Sequence, residues 1–295
     1  MSMTSLHLAP VPAKERTRLF AALLCFGWPG AMLGIFVAVP FLLMLRVSLA
    51  PLDRTQLWGD GLTLTAFTHL AEHGIGNALF YSVAFAVGVS LASVVVAYPL
   101  TWLITRMAKR AQVCWLIFLL ATLSLSDVLI TFSWQVMLAR RMWISQSLVW
   151  LGLLDRTDSL VPGVGAVLCS LLYVSIPFCV LLLFPALSRL DQSLVEAART
   201  MGASALRSFF TIVIPMTRIP IIAALVMSVV SAMGAYTAPL ILGRPETWTL
   251  SVLIGNTVLS AQDFPAGTSM AIVLLGVTLV IGAVSAVALR RGAKA

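Results

Sequence analysis

Six stretches of the chain run without charge for long enough to cross a membrane, separated by short polar punctuation. They cover residues 19–45, 78–105, 111–139, 159–188, 219–243 and 264–289, and Asp127 is the one charge inside the third. Each exceeds the roughly 20 residues that carry a helix through the hydrocarbon core of a bilayer. A lipid-facing segment must satisfy its own backbone hydrogen bonds, which leaves the helix as the only open-ended choice. The pattern predicts an all-α membrane protein with six transmembrane helices over 19–289. Short tails, residues 1–18 and 290–295, flank them.

One connection differs in kind from the others. The segment 189–215 lies in "SRLDQSLVEAARTMGASALRSFFTIVIP" and is polar and helix-forming. Leu194, Ala197, Ala198 and Met201 recur at i, i+3, i+4 and i+7, an apolar stripe on a short helix, while Glu196, Arg199 and Thr200 face elsewhere. Asp191 fits an N-cap, and Ser193 with Glu196 fits a rival capping box, so two registers stay open at the start. Gly202 is placed to end the helix with a left-handed residue. Ser204 then caps a second helix, "ALRSFFTIVI", which Pro215 is expected to terminate. The two alanines leave room for another surface to approach closely.

Composition strengthens the membrane reading: 60% of residues are hydrophobic and the mean hydropathy is +1.01, against about 45–50% apolar content in soluble domains. The net charge of +8 raises nucleic acid as a partner, but the 19 Lys and Arg residues are distributed by loop. Lys14, Arg16, Arg18, Arg106, Lys109, Arg110, Arg189, Arg199, Arg207, Arg218, Arg290, Arg291 and Lys294 fall on one side, thirteen in all. Arg46, Arg54, Arg140, Arg141, Arg156 and Arg244 fall on the other. This positive-inside bias puts both termini in the cytoplasm of a bacterial-type inner membrane and explains the basicity without nucleic acid. The first span is too long for a cleavable signal and reads as retained.

Cys25, Cys114, Cys169 and Cys179 fall within or at the ends of spans, without C-x-x-C spacing, and read as small apolar packing residues. His69 and His73 are four apart, but Gly74 and Gly76 argue for a loop, so no metal site is expected. The outer segments "RRMWISQSLVWLGLLDRTD" and "RPETWTLSVLIGNTVLSAQDF" mix aromatic and polar residues as segments lying at an interface do. No soluble domain of 50 or more residues is present, so an ATPase or substrate-capturing domain has to come from another chain.

Within the spans, Pro177 interrupts the fourth run, and Pro239 with Gly234 the fifth. Such interruptions mark ordinary kinks or backbone turned toward a water-filled cavity. Tyr236 fits either a cavity wall or simple packing. A carboxylate at Asp127 costs about 2.5–3.5 kcal/mol in lipid, so it faces the protein interior, a pathway, or water near the outer interface.

"EAARTMG", then nine residues, then "IVIP" resembles the EAA signature of binding-protein-dependent ABC importer permeases. Glu196, Ala197, Ala198, Gly202, Ile212 and Pro215 occupy its positions, and Ile214 stands where Leu is usual. The run from Ile176 to Ser204, "AYPLTWLITR" from Ala97 and "GAYTAPLILG" from Gly234 are similar to stretches of the spermidine/putrescine-type permeases. Ala97 and Arg244 replace glycines frequent there. Relatives with these features also resemble transporters of opines, phosphonates and ferric iron, so the substrate is less defined than the transporter class.

The resemblance implies the type I importer (MetI-like) fold and a cytoplasmic coupling helix that docks in a groove of an ATP-binding subunit. It assigns ATPase coupling to Asp191, Glu196, Ala197, Ala198, Arg199, Met201 and Gly202. Glu196 is then a contact to the partner, a brace within the two-helix elbow, or merely a cap. The translocation pathway is expected at Asp127, Tyr236 and Pro239. Implied partners are a dimer of ATP-binding subunits holding ATP and Mg, a second and non-identical permease, an external substrate-binding protein and membrane lipid. No cofactor, metal or enzymatic activity is expected in this chain, and no P-loop G-x-x-x-x-G-K-[ST] occurs. An ion-coupled secondary transporter would need more intramembrane ionisable groups than Asp127. A membrane enzyme would need a convergent catalytic set.

Overall fold

The structure is a computed structural model that describes residues 13–53, 57–68, 70, 74–140, 142–152 and 159–294. Residues 1–12, His69, His73, Arg54, Arg141 and Arg156 lie outside the described residues. Helix α1 (Ala13–Ser48), the single turn α2 (Thr65–Thr68) and α3 (Ile75–Thr105) lead into α4 (Lys109–Leu123) and α5 (Asp127–Met137). α6 (Trp143–Trp150) and α7 (Val164–Ser188) follow. The polar connection folds as α8 (Gln192–Thr200), α9 (Ala205–Ser208), a π-helical turn Phe209–Val213 and α10 (Ile214–Met216). α11 (Arg218–Met233), α12 (Thr237–Leu242), α13 (Leu250–Leu259) and α14 (Phe264–Lys294) complete the chain.

Gly27–Ser48, Ile75–Thr105, Val164–Ser188 and Phe264–Ser285 are each long and apolar enough to cross a membrane, and two bent pairs bring the number of candidate spans to six. The run 111–139, expected as one span, is one of these pairs: α4 and α5 meet at 90°. The hydroxyls of Thr122 and Ser124 bond back to the carbonyls of Phe118 and Leu120, which favours bending. Asp127 then opens α5, where a helix N-terminus favours negative charge. In the run 219–243 the interruption lies at residues 234–236 rather than at Pro239. Pro239 is the third residue of α12, where its missing N–H has no intrahelical acceptor to lose.

Pro177 does not interrupt the fourth run; α7 continues through both Pro177 and Pro185, and Pro177 is buried. The second elbow helix ends at Met216, one residue beyond Pro215, after a π-helical turn that has already departed from i→i−4 bonding. The outer segment after Arg244 was expected at the interface. Instead α13 packs against both α14 and α3, with Leu250 and Val252 fully buried although they lie on different faces of the helix. α6 keeps Trp143 and Trp150 exposed.

α3 joins all four apolar clusters of the bundle, through Tyr98 and Ala97, Phe85, Ala78 and Ala86. Its residues Ala86, Ser90, Ser93, Ala97, Thr101 and Ile104 are wholly buried at three- and four-residue steps. Small side chains on one stripe let α7 and α11 approach its backbone closely, which is how helices associate where lipid removes the hydrophobic drive. The Ser90 and Ser93 hydroxyls have no hydrogen-bond partner among the described residues, so size and not polarity is what these positions require. Ser93→Ala is therefore expected to leave the yield and melting temperature of the detergent-solubilised protein unchanged. Ser93→Leu should destabilise it by about 1–3 kcal/mol through overpacking, lowering both.

Candidate functional site

Two features draw the candidate residues together, an elbow at one end of the bundle and a cavity inside it. In the elbow, Asp191 Oδ1 accepts the Ser193 backbone N–H at 2.9 Å, which selects Asp191 as the N-cap and leaves Ser193 inside the helix. The bonds from Ser193 hold the Asp191 carboxyl below its ordinary range. A depressed carboxyl keeps its cap at neutral pH and loses it only as pH falls through the lowered value. At the other end Gly202 has φ +89°, and Ala203 N–H reaches the Ala198 carbonyl at 3.0 Å, the wide closing bond of a Schellman turn. Ser204 Oγ accepts the Arg207 N–H at 3.2 Å and starts the second helix as expected from its position.

The stripe expected on α8 divides. Ala198 turns inward with Val195, which joins the cluster containing Leu183, Leu187 and Val213. Leu194, Ala197 and Met201 remain outside, Met201 with 83% of its surface exposed. Val195 was missed because Leu194 matches the same helical period one position earlier. Glu196 is exposed, and its carboxylate makes no hydrogen bond among the described residues, so neither bracing nor capping has a contact to support it. Arg199 lies on α8. The second helix is anchored by Val213, which is fully buried.

The cavity has a volume of about 330 Å³, is lined by α5, α7, α11 and the break before α12, and is open on one side. The bend between α4 and α5 delivers Asp127 to its wall, and the break at 234–236 delivers Tyr236. Hydroxyls of Thr131, Ser170, Ser175, Ser228 and Ser231 share the lining with apolar groups such as Val174 and Phe178. Ser175 and Ser228 are hydrogen-bonded to each other at 2.7 Å, joining α7 to α11. Pro239 is buried but does not line the cavity. The structure therefore brings Asp127 and Tyr236 together and leaves Pro239 behind the wall.

Gly255 on α13 is a further residue that the sequence did not reveal. A Cβ there would lie 2.6 Å from Tyr236 Cε2, so the absence of a side chain lets the Tyr236 ring rest on the α13 backbone. A glycine within an apolar run carries no local sign of what crosses it. The hydroxyl set had a partial signal, since Ser228 and Ser231 are three apart on one helix face.

A family model described as "Binding-protein-dependent transport system inner membrane component" matches residues 79–292. The chain is 28% identical over 260 residues to the spermidine/putrescine transport system permease protein PotB of Escherichia coli (strain K12), covering 87% of this chain and 90% of that protein. It is 26% identical over 232 residues to the inner membrane ABC transporter permease protein YdcU of the same organism, covering 74% and 72%. Among solved structures it resembles a bacterial ABC transporter involved in import of the acidic polysaccharide alginate. The TM-score is 0.72 at 18% identity, with 93% of this chain and 99% of that one covered. The MetNI methionine ABC transporter, in inward-facing conformations, matches with TM-score 0.55 at 16% identity, over 74% and 95% of the two chains. At these identities the solved structures speak to the fold.

Replacing Gly255 with Ala is expected to displace the Tyr236 ring and reduce solute uptake in proteoliposomes several-fold. In a Tyr236→Ala background the same replacement should have little further effect, because contacting residues are coupled. Independent, multiplying losses in the double variant would show that Gly255 does not act through Tyr236.

Proposed function

The chain belongs to the family of binding-protein-dependent transport system inner membrane components, and from that premise we propose that it forms half of the pathway of an ABC importer for polyamine-type organic cations. One observation carries the substrate class: the cavity presents a single carboxylate, Asp127, among hydroxyls and apolar walls. An ammonium group is matched by the carboxylate, its neighbouring methylenes by Val174 and Phe178, and further N–H donors by the hydroxyls. The PotB relative of Escherichia coli supports this class by its name. A phosphonate would meet the carboxylate as a like charge, so that alternative has less support.

Transport in this reading is alternating access driven from outside the chain. ATP and Mg belong to a pair of ATP-binding subunits, and this chain acts as the non-catalytic membrane partner. α8 docks on such a subunit with Leu194, Ala197 and Met201 as the apolar contact and Glu196, with Arg199, as charged contacts. Asp191, Ala198 and Gly202 hold the helix in its turn. An external binding protein delivers the solute, and a second, non-identical permease closes the open side of the cavity. The protein is a multi-pass inner membrane protein, and the thirteen-to-six charge division supports cytoplasmic termini.

Co-purification of an ATPase subunit and uptake of labelled spermidine or putrescine in proteoliposomes test this directly. A charge-assisted hydrogen bond is worth about 1.5–3 kcal/mol, and about 1.4 kcal/mol is tenfold. Asp127→Asn should therefore reduce polyamine uptake roughly tenfold or more while leaving assembly with the ATPase intact; unchanged uptake would remove Asp127 from the pathway.

The elbow is tested separately. Gly202→Val places a β-branched residue at positive φ, at a cost of about 1–3 kcal/mol, and should misaim the second helix. The variant is expected to insert normally but to lose ATPase co-purification or stimulated ATP turnover. Transport at the parental rate would show that the elbow is not the coupling device.

A further inference from the structure

α3 is clasped at both ends to the two segments that face opposite sides of the bundle. At one end the Tyr98 hydroxyl lies 2.6 Å from Thr217 Oγ1, in a buried bond. Thr217 Oγ1 donates to the Val213 carbonyl at 2.7 Å, so its one proton is committed and Tyr98 is the donor to it. Thr217 is the joint at which the second elbow helix and α11 meet at 73°. The same end of α3 stacks on the elbow: Phe209 lies 5.4 Å from the Tyr98 ring and 6.1 Å from the Trp102 ring, and Arg106 covers Trp102 at 4.1 Å.

At the other end, Asn77 Nδ2 donates to the Glu246 carbonyl at 2.9 Å. Ser82 Oγ accepts the Leu250 N–H at 2.7 Å, at the start of α13. The helix between these clasps is unbroken; Pro99 removes one ladder bond without ending it. Asn77 and Tyr98 are separated by 21 positions, roughly 32 Å along a helix rising 1.5 Å per residue. α11, which follows the elbow in the chain, starts after the 73° bend at Thr217 and ends at Met233, before the cavity-lining break, so it spans only part of the distance that α3 covers.

We propose that α3 is the strut that relays movement between the ATPase-side elbow and the opposite-face segment 244–250, with Tyr98 and Asn77 as positioning residues at its ends. This rests on the reading of α8 as the ATPase-docking helix. A push on the elbow reaches α3 through the Thr217 bond and the Phe209 stack, and α3 displaces the segment that holds α13 and, through Gly255, the Tyr236 wall of the cavity. A continuous helix bonded to other segments toward both ends is the kind of rigid element through which coupling can travel.

The test compares ATP turnover of the complete importer in proteoliposomes, with and without solute-loaded binding protein. Tyr98→Phe removes one hydroxyl, keeps the ring on Phe209 and leaves Thr217 bonded to Val213, so folding and basal turnover are expected to be unchanged. Stimulation by the binding protein should fall at least about threefold, and Asn77→Ala should do the same from the other end. Sites this far apart normally act independently. A double variant no worse than the weaker single variant is therefore the signature of one relay. Full stimulation in Tyr98→Phe, or losses that multiply, would overturn the strut. A parent complex that binds no ATPase or shows no stimulation would instead overturn the importer reading beneath it.

Discussion

The close approach of α7 and α11 to one stripe of α3 is the constraint on which the remaining structure depends. In lipid, apolar surface gains nothing by leaving one apolar environment for another, so helices must associate through packing and interhelical polar contacts. Ala86, Ser90, Ser93, Ala97 and Thr101 leave the necessary room. Once α7 and α11 lie against this stripe, Ser175 on one reaches Ser228 on the other, and the elbow-side ends of both helices bury Val195 and Val213 of the elbow. The elbow's position is thus a consequence of helix packing some distance away from it.

The cavity arises where that packing is interrupted. A straight third run and an unbroken fifth would fill the space with side chains, whereas the 90° bend before Asp127 and the break before α12 withdraw backbone from it. Irregular backbone at membrane depth is tolerated where it is covered by protein or lines a hydrated space. The bend also places Asp127, the only charge of the third run, on the cavity wall, where a carboxylate avoids the cost of facing hydrocarbon.

The turn of the elbow is set by local chemistry, while Val195 and Val213 fasten it to the bundle. The Asp191 cap, the positive φ of Gly202 and the Ser204 cap follow within fourteen residues and mark where the first helix starts, where it ends and where the second begins. The outward residues Leu194, Ala197 and Met201 are left uncommitted by the bundle, and Glu196 is left without an internal contact. A stiff element with an unengaged face suits transmission of a rigid-body displacement, which a flexible loop would absorb.

Sequence alone determined the features that depend on local chemistry. Length and absence of charge marked the apolar runs, because a backbone in lipid has few alternatives, and Gly202 with the cap at Ser204 marked the elbow, because each acts within one turn; the choice of Asp191 over the Ser193 capping box was left to the structure. Tertiary structure decided what depends on neighbours distant in the chain. It chose Val195 over Leu194 as the anchor of α8, since both fit the helical period and only the cluster around Leu183 distinguishes them. It kept α7 continuous through Pro177, folded α13 into the bundle, and set Tyr236 against Gly255, 19 positions away. No local pattern encodes which helix will cross a given glycine; the order in which helices pack around α3 settles that.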